Sequence, residues 1–260
     1  MTSQSDSQLS TDARQLLESY GGIPAEEITD HVVKVRDEAW EVFPYPCIGQ
    51  FCFLDLSLKH TTVYPEVPQH LAEGQRLFDM ACCFEQEIRQ LVADGAPSEN
   101  IYGCDLREEY VKLGYQLFQD RNRLQSHFLA ADIFDKSSSL ADLRGTFDMV
   151  YAGSFFHLFN YDDQIEVSTT VARLFRPVKG SFIVGRQVGT VNAAAHDHRT
   201  NPTGKMYRHN PRSLKEMWEK IGHDLGVSFT VDATLQQLPS DHFRFHTEDT
   251  RLIHFVIRRE

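Results

Sequence analysis

Apolar positions recur along the chain at two spacings, and the change from one to the other divides it into segments. From Ala25 to Phe43, AEEITDHVVKVRDEAWEVF sets Ile28, Val32, Val35, Ala39 and Val42 at three- and four-residue steps with acidic residues near the start. That spacing predicts an amphipathic helix. Residues 1–12 are polar and aperiodic and read as a disordered tail. After the helix, FPYPCIGQFCFLDLSL is apolar, aromatic and broken by prolines. It reads as a connection entering the core, with a lid over an apolar ligand as the functional alternative. Residues 13–75 thus form an N-terminal helical or lid segment.

From about residue 76 short apolar runs alternate with helix-period segments. Strands are predicted at RLFDMA, NIYGCD, HFLAAD, FDMVYA and SFIVGRQV. Between them, Phe84, Ile88, Leu91 and Val92 make one helical face, and Tyr110, Leu113, Leu117 and Phe118 another. Asn210 is placed as an N-cap with Pro211 at the first helical position, ahead of Leu214, Met217, Trp218 and Ile221 at helical steps. GVSFTVDATL and TRLIHFVIRR are the last two strands, and QQLPSDHFRFHTED between them has no strong helix pattern. They should pair antiparallel, because a parallel pair needs a crossover of about a dozen residues or more, usually helical. The expected fold for 76–260 is α/β: a doubly wound, mostly parallel seven-stranded sheet with a C-terminal antiparallel hairpin.

Charge narrows the partners. The 260 residues carry 26 basic and 37 acidic side chains, a net charge of −11, with no basic stripe. Nucleic acid and anionic membrane are therefore not expected as partners. No apolar run approaches the roughly 18 residues of a membrane span. The start, MTSQSDSQLSTDAR, lacks the charged-then-apolar order of a secretory signal, so a cytoplasmic location is the expectation. Five cysteines (Cys47, Cys52, Cys82, Cys83 and Cys104) without CxxC spacing argue against a disulfide framework and a structural zinc site. HDHR at 196–199 has two histidines without a third ligand at a fixed offset, so no metal is expected there either.

In a doubly wound sheet, ligands bind beyond the carboxyl ends of the strands. Asp79, Asp105, Asp132, Gly153 with Ser154, and Arg186 with Gln187 close the first five predicted strands. Asp105 lies 20 residues after Glu85, near the spacing at which an acidic residue binds ribose hydroxyls. Asp132 could accept from the adenine amine while Ile133 or Phe134 packs on the ring. A lone strand-end aspartate serves as readily as a helix N-cap, but three at successive ends point to a nucleoside site.

FLDLSL, YPEV, the CCF turn, LVADGAPSENIYGCDLREEY, LGYQLFQDRNRL, FLAADIFD, SFFHLF, LFRPVKGSFIVGRQVG and RHNPRSLKEMW together resemble class I S-adenosylmethionine-dependent methyltransferases. More narrowly, they resemble fungal secondary-metabolite enzymes that esterify carboxyl groups of meroterpenoid intermediates. The resemblance runs from about residue 45 to the C-terminus. It implies S-adenosyl-L-methionine as cofactor, contacted through the pairs Asp105-Leu106 and Asp132-Ile133, with Gly153 beside it. It also implies a bulky, apolar, prenylated polyketide-like acid as substrate, and it admits a homodimer. The first turn, RLFDMACCFEQEIRQ, departs from the family frame of acidic-x-Gly-x-Gly-x-Gly: Asp79 keeps the acidic place, while Ala81, Cys83 and Glu85 stand where glycines are expected. A solvent-facing Glu85 suits the helix dipole and leaves a methylating enzyme. Facing inward, it would oppose the methionyl carboxylate and leave a non-methylating cyclase or isomerase on the same scaffold.

Methyl transfer from a sulfonium needs an acceptor oxygen held in line at about 3 Å, largely without water. His157, in GSFFHLF after the fourth strand, could act as base for a phenol or orient a carboxylate. Arg186 could pair bidentately with a carboxylate, and His209 is a further candidate of the same kind. Each has a bland alternative, a buried structural histidine or an internal salt bridge. Phe155, Phe156 and Phe159 line either an acceptor pocket or the core. GTVNAAAHDHRTNPTGK is long for a connection and is a candidate substrate lid. An exposed apolar face on the 25–43 helix would instead indicate a catalytically silent partner of another protein.

Overall fold

The computed structural model describes residues 9–198, 204–238 and 248–260. The chain divides into two compact units, Met1–Asp132 and Ile133–Glu260.

In the first unit, order begins earlier than the polar start suggests. Ser10 accepts from the Ala13 N–H at 3.1 Å and caps helix α1 (Thr11–Gln15), which continues into a single π turn over Leu16–Tyr20. Leu9, Ala13, Leu16 and Leu17 are buried, so the tail boundary at residue 12 falls inside a packed element. Helix α2 (Ile28–Val42) buries Ile28, Val32, Val35 and Ala39, the stripe its spacing predicts. That face is covered, and Trp40 is the large apolar side chain the helix leaves exposed. Helix α3 (Pro46–Gly49) and the turns after it place Ile48, Phe51, Phe53, Leu54 and Leu56 in the same core cluster, as the connection reading has it. Helix α4 (Glu66–Ala72) leads to strand β1 (Leu77–Met80), and then come α5 (Gln86–Ala93), β2 (Ile101–Asp105), α6 (Glu108–Phe118) and β3 (His127–Ala130). These strands pair parallel, Leu77 opposite Ile101 and Tyr102 opposite His127. Phe84, Tyr110, Leu113, Leu117 and Phe118 share one core with α1 and α2. His31 Nε2 lies 2.9 Å from the Leu117 carbonyl, and the Tyr110 hydroxyl donates to the Phe43 carbonyl at 3.1 Å.

The second unit holds β4 (Met149–Gly153), α7 (Tyr161–Leu174), β5 (Phe182–Thr190), β6 (Ala194–Asp197), β7 (Lys205–Arg208), α8 (Pro211–Leu225), β8 (Phe229–Gln237) and β9 (Thr250–Arg259). β4 runs parallel to β5, while β9 pairs antiparallel with both β5 and β8. The seven-stranded, mostly parallel sheet has the order β3-β2-β1-β4-β5-β9-β8. Asn210 and Ser213 form a reciprocal capping box at the start of α8, and Gly226 at φ +67° closes it. Part of the segment read as a lid is instead a two-stranded ribbon, β6 against β7, with Ala194 opposite Arg208; residues 199–203 lie outside the described residues. Gln236 and Gln237 extend β8, and most of the following segment, 239–247, also lies outside them. Among the described residues no helix is long and apolar enough to cross a membrane, and no group of three His, Cys, Asp or Glu is placed to hold a metal ion.

Candidate cofactor loop and acceptor face

After β1 the chain turns with Ala81, Cys83 and Glu85 at φ +55°, +51° and +52°. All three places expected to hold glycine are thus left-handed although none is glycine. Left-handed backbone costs an L-residue roughly 1–2 kcal/mol, so the surroundings must hold the loop. The Cys82 N–H donates to the Cys104 carbonyl at 3.0 Å, and the Glu85 N–H to the Cys82 carbonyl at 2.7 Å. Asp105 supplies the clasp. Its Oδ2 accepts from the Cys83 N–H at 3.0 Å and its Oδ1 from the Arg107 N–H at 3.1 Å. A carboxylate's two oxygens offer about four lone-pair sites, so the group can accept beyond these backbone donors. Burial raises the Asp105 pKa, and the N–H groups of Arg107 and Cys83 oppose the rise. Gly103 permits the close approach here: a Cβ at that position would stand 2.9 Å from Phe128 and 3.0 Å from Cys82 Sγ.

Asp79 is 2% exposed and its Oδ2 has no hydrogen-bond partner among the described residues. Burial, then the charges of Glu87, Glu85 and Asp105, hold its carboxyl well above the usual range. A buried carboxyl oxygen without a donor costs about 1–3 kcal/mol, a cost that a cationic ligand would relieve. Glu87 by contrast is satisfied, accepting from the Leu58 N–H at 3.2 Å. The Ala131 N–H donates to the Asp105 carbonyl at 3.0 Å, which ties the chain after β3 to the end of β2. Asp132 is exposed there, and Leu106 is 56% exposed beside Asp105. These residues fit S-adenosylmethionine: an orphaned carboxyl oxygen for an ammonium, spare lone pairs on Asp105 for a ribose diol, and apolar surface for a base.

Glu85 takes the inward of the two orientations considered for it. Its side chain is fully buried, yet Oε2 lies 2.7 Å from Arg89 Nη1, and Arg89 in turn grips Asp120 through Nε at 2.8 Å and Nη2 at 3.0 Å. Burial, outweighing Arg89, pushes the Glu85 pKa up to about 8. The inward-facing carboxyl is thus directed at Arg89, whose guanidinium offsets the negative charge expected of it. The i, i+4 spacing of Glu85 and Arg89 was the available signal, but Asp120 is joined to them only by the fold.

On the second unit, Gly153 ends β4 opposite Arg186 of β5, and the Ser154 N–H, at φ +56°, donates to the Arg186 carbonyl at 2.7 Å. Any side chain at Gly153 would collide with the Tyr151 hydroxyl. His157 sits in a 3-10 turn, Phe156–Leu158, and is 7% exposed. Arg186 is half-buried, opposite His254 of β9. Next to it Gln187, placed at a strand end from the sequence, lies inside β5, which runs on to Thr190, and is fully buried with neither amide atom hydrogen-bonded to the described residues. His209 is also fully buried; its Nδ1 lies 2.8 Å from Ser213 Oγ and its Nε2 has no partner among the described residues. Burial pushes its pKa down to about 4, so it is neutral at pH 7. The Thr190 N–H donates to the His209 carbonyl at 3.0 Å, setting His209 beside the end of β5. Phe156 packs on Trp218 and Phe255 and belongs to the core, while Phe155 and Phe159 stack edge-on at 5.3 Å with Phe134 against Phe159. Ile133 lines a small cleft with Ser138, Leu140, Glu166 and Arg173.

Comparison with known proteins agrees with this geometry. A family model described as a meroterpenoid methyltransferase N-terminal domain matches residues 2–54, and one described as a methyltransferase domain matches 78–184. The chain is 41% identical to the O-methyltransferase phiE of Fungal sp., over 95% of this chain and 87% of that one. It is 40% identical to the O-methyltransferase atr3 of Stereocaulon alpinum, over 95% and 72%. It is also 40% identical to the asnovolin E/chermesin D methyltransferase nvfJ of Aspergillus novofumigatus, over 85% and 79%. Among solved structures, the 1,6-didemethyltoxoflavin-N1-methyltransferase of Burkholderia thailandensis has a TM-score of 0.55 at 13% identity, covering 88% of this chain and 89% of that one. The [4+2]-cyclase SpnF has a TM-score of 0.51 at 14% identity, over 75% and 81%. At such identities the likeness concerns the fold, which is that of class I methyltransferases. The chain belongs to the fungal meroterpenoid-type family of S-adenosylmethionine-dependent O-methyltransferases.

Proposed function

We propose that this methyltransferase acts on a carboxyl oxygen, or a phenol, of a terpenoid- or polyketide-derived small molecule. In this reading Asp79, Ala81, Cys83, Asp105, Leu106, Asp132, Ile133 and Gly153 hold the cofactor, and His157, Arg186 and His209 serve the acceptor. The observation that carries the cofactor half is the Asp105 carboxylate, fixed by two backbone N–H groups with lone pairs to spare. S-adenosylmethionine supplies an electrophilic methyl on a sulfonium. Asp105 would accept from the ribose hydroxyls and Asp79 from the methionyl ammonium, with the Ala81–Glu85 loop offering its backbone to the cofactor.

A carboxylate acceptor is already ionised at neutral pH and needs no general base, so positioning supplies most of the rate. Arg186 would hold that carboxylate through paired N–H donors. His157 would orient the attacking oxygen. His209, kept neutral by burial, would offer a hydrogen bond rather than a charge, as would the Gln187 amide. The relative from Aspergillus novofumigatus, named for asnovolin E and chermesin D, supports a small-molecule acceptor. We also propose a cytosolic enzyme, supported by five cysteines none of which is in a disulfide, and a homodimer, supported by the family resemblance alone.

The test is incubation with S-adenosylmethionine and a panel of meroterpenoid acids and phenols, read by mass spectrometry. The expected product gains one methyl in place of a proton, and Arg186→Gln raises the acceptor KM at least about tenfold, on the order of one lost charge-assisted pair. Turnover to an isomer without mass gain would contradict the proposal and favour a cyclase.

A further inference from the structure

A buried chain of polar groups runs through the first unit from the cofactor loop to the N-terminal segment. Arg89 Nη1 donates to Glu85 Oε2 at 2.7 Å and to the Phe84 carbonyl at 2.9 Å, so it holds both the side chain and the backbone of the loop. Its other donors grip Asp120, and the Tyr20 hydroxyl donates to Asp120 Oδ2 at 2.8 Å. Glu85 and Arg89 are fully buried and Asp120 nearly so. The guanidinium lies over the Phe118 ring at 4.8 Å and the Tyr115 ring at 5.4 Å, which fixes its plane. Buried ionic chains of this kind are weak contributors to stability compared with apolar packing of the same volume. Stability alone therefore leaves the arrangement unexplained.

We propose that Glu85 is a positioning residue for the S-adenosylmethionine loop, and that the Glu85–Arg89–Asp120–Tyr20 chain makes cofactor affinity depend on the N-terminal segment. A glycine at this place would be free to adopt the left-handed backbone and free to leave it. Glu85 is instead held there by Arg89 and by its seat against α6, where a Cβ on Gly114 would collide with Oε2. The Glu85 N–H bonds the Cys82 carbonyl, and the next residue, Cys83, donates to Asp105. A shift of Glu85 thus reaches the Asp105 clasp within two residues. Tyr20, at the far end, lies within the N-terminal family region, residues 2–54. The inference rests on the cofactor assignment above.

Tyr20→Phe removes one hydroxyl from the far end. Glu85→Gly removes the near end while keeping the left-handed backbone accessible. The Kd of S-adenosylhomocysteine is measured by calorimetry for the wild type, both single variants and the double variant, alongside the acceptor KM and unfolding curves. Tyr20→Phe is expected to weaken binding about fivefold in the wild type and less than about twofold in the Glu85→Gly background, with the acceptor KM unchanged; contacting residues couple on this scale. Glu85→Gln, which keeps an acceptor toward Arg89, should restore the dependence on Tyr20. If the glycine variant does not fold, Glu85→Asn replaces it, since asparagine tolerates the left-handed region but is too short to reach Arg89. Equal effects of Tyr20→Phe in both backgrounds, or unfolding curves that move while Kd does not, would overturn the proposal. Failure of the wild type itself to bind would count against the cofactor assignment and remove the proposal with it.

Discussion

At the scale of single residues, the molecule keeps a glycine-loop backbone without its glycines. Ala81, Cys83 and Glu85 all sit in the left-handed region, so the cost of each is set by what holds it there. Ala81→Gly should stabilise the protein by about 0.5–1 kcal/mol after the entropy glycine adds to the unfolded chain. Urea unfolding would read this as a higher midpoint at constant slope; a lower midpoint would mean that packing of the Ala81 methyl outweighs the backbone strain. His209 offers a pH signature. Its folded pKa of about 4 lies below the ordinary 6.5. The unfolded chain therefore binds the proton more readily between those values, and stability is lost as pH falls from about 6.5 towards 4. The loss is on the order of 3 kcal/mol if complete. His209→Gln should flatten this part of the stability profile, and an unchanged slope would reject the assignment. The place of Asp105 at the end of β2 was legible from the strand pattern. The environment of Glu85 was not: Arg89 and Asp120 are 31 residues apart in sequence and meet only through the packing of α5 against the end of α6.

At the scale of elements, β1 to β4 were readable because each is a short, mostly apolar run of four or five residues, and α8 because its cap is spelled out by Asn210, Pro211 and Ser213. The ribbon β6–β7 was not readable, since its strands are four residues each and mix polar with apolar positions without strict alternation. Helix α7 was also missed as an individual element: Gln164 and Ser168 stand among its buried positions and blur the apolar stripe. The junction of α5 with α6 makes a sharp prediction. A Cβ on Gly114 would press on the Glu85 carboxyl and stand 2.8 Å from the Phe84 carbonyl. Gly114→Ala should therefore destabilise the fold by about 2 kcal/mol, as overpacking of a tight site does. Thermal unfolding of Gly114→Ala and of Gly114→Ala/Glu85→Gly would show the cost partly relieved in the pair. Equal costs would mean that the backbone carbonyl alone sets it.

At the scale of the whole molecule, the N-terminal segment is part of the core of the first unit. Leu16, Leu17, Ile28, Val32, Val35 and Ala39 share a cluster with Phe84, Tyr110 and Leu117. Removing residues 1–54 should then leave a chain that binds no cofactor and exposes apolar surface, detectable by dye binding and by loss of cooperative unfolding. A truncated chain that unfolds cooperatively and still binds would make the segment an independent domain. The most direct test of the account is calorimetric titration of S-adenosylhomocysteine into the wild type and Asp105→Ala. The account predicts saturable one-site binding in the wild type and a loss of at least about tenfold in Asp105→Ala, the scale of charge-assisted hydrogen bonds of about 1.5–3 kcal/mol. Undiminished binding by a folded Asp105→Ala would contradict it.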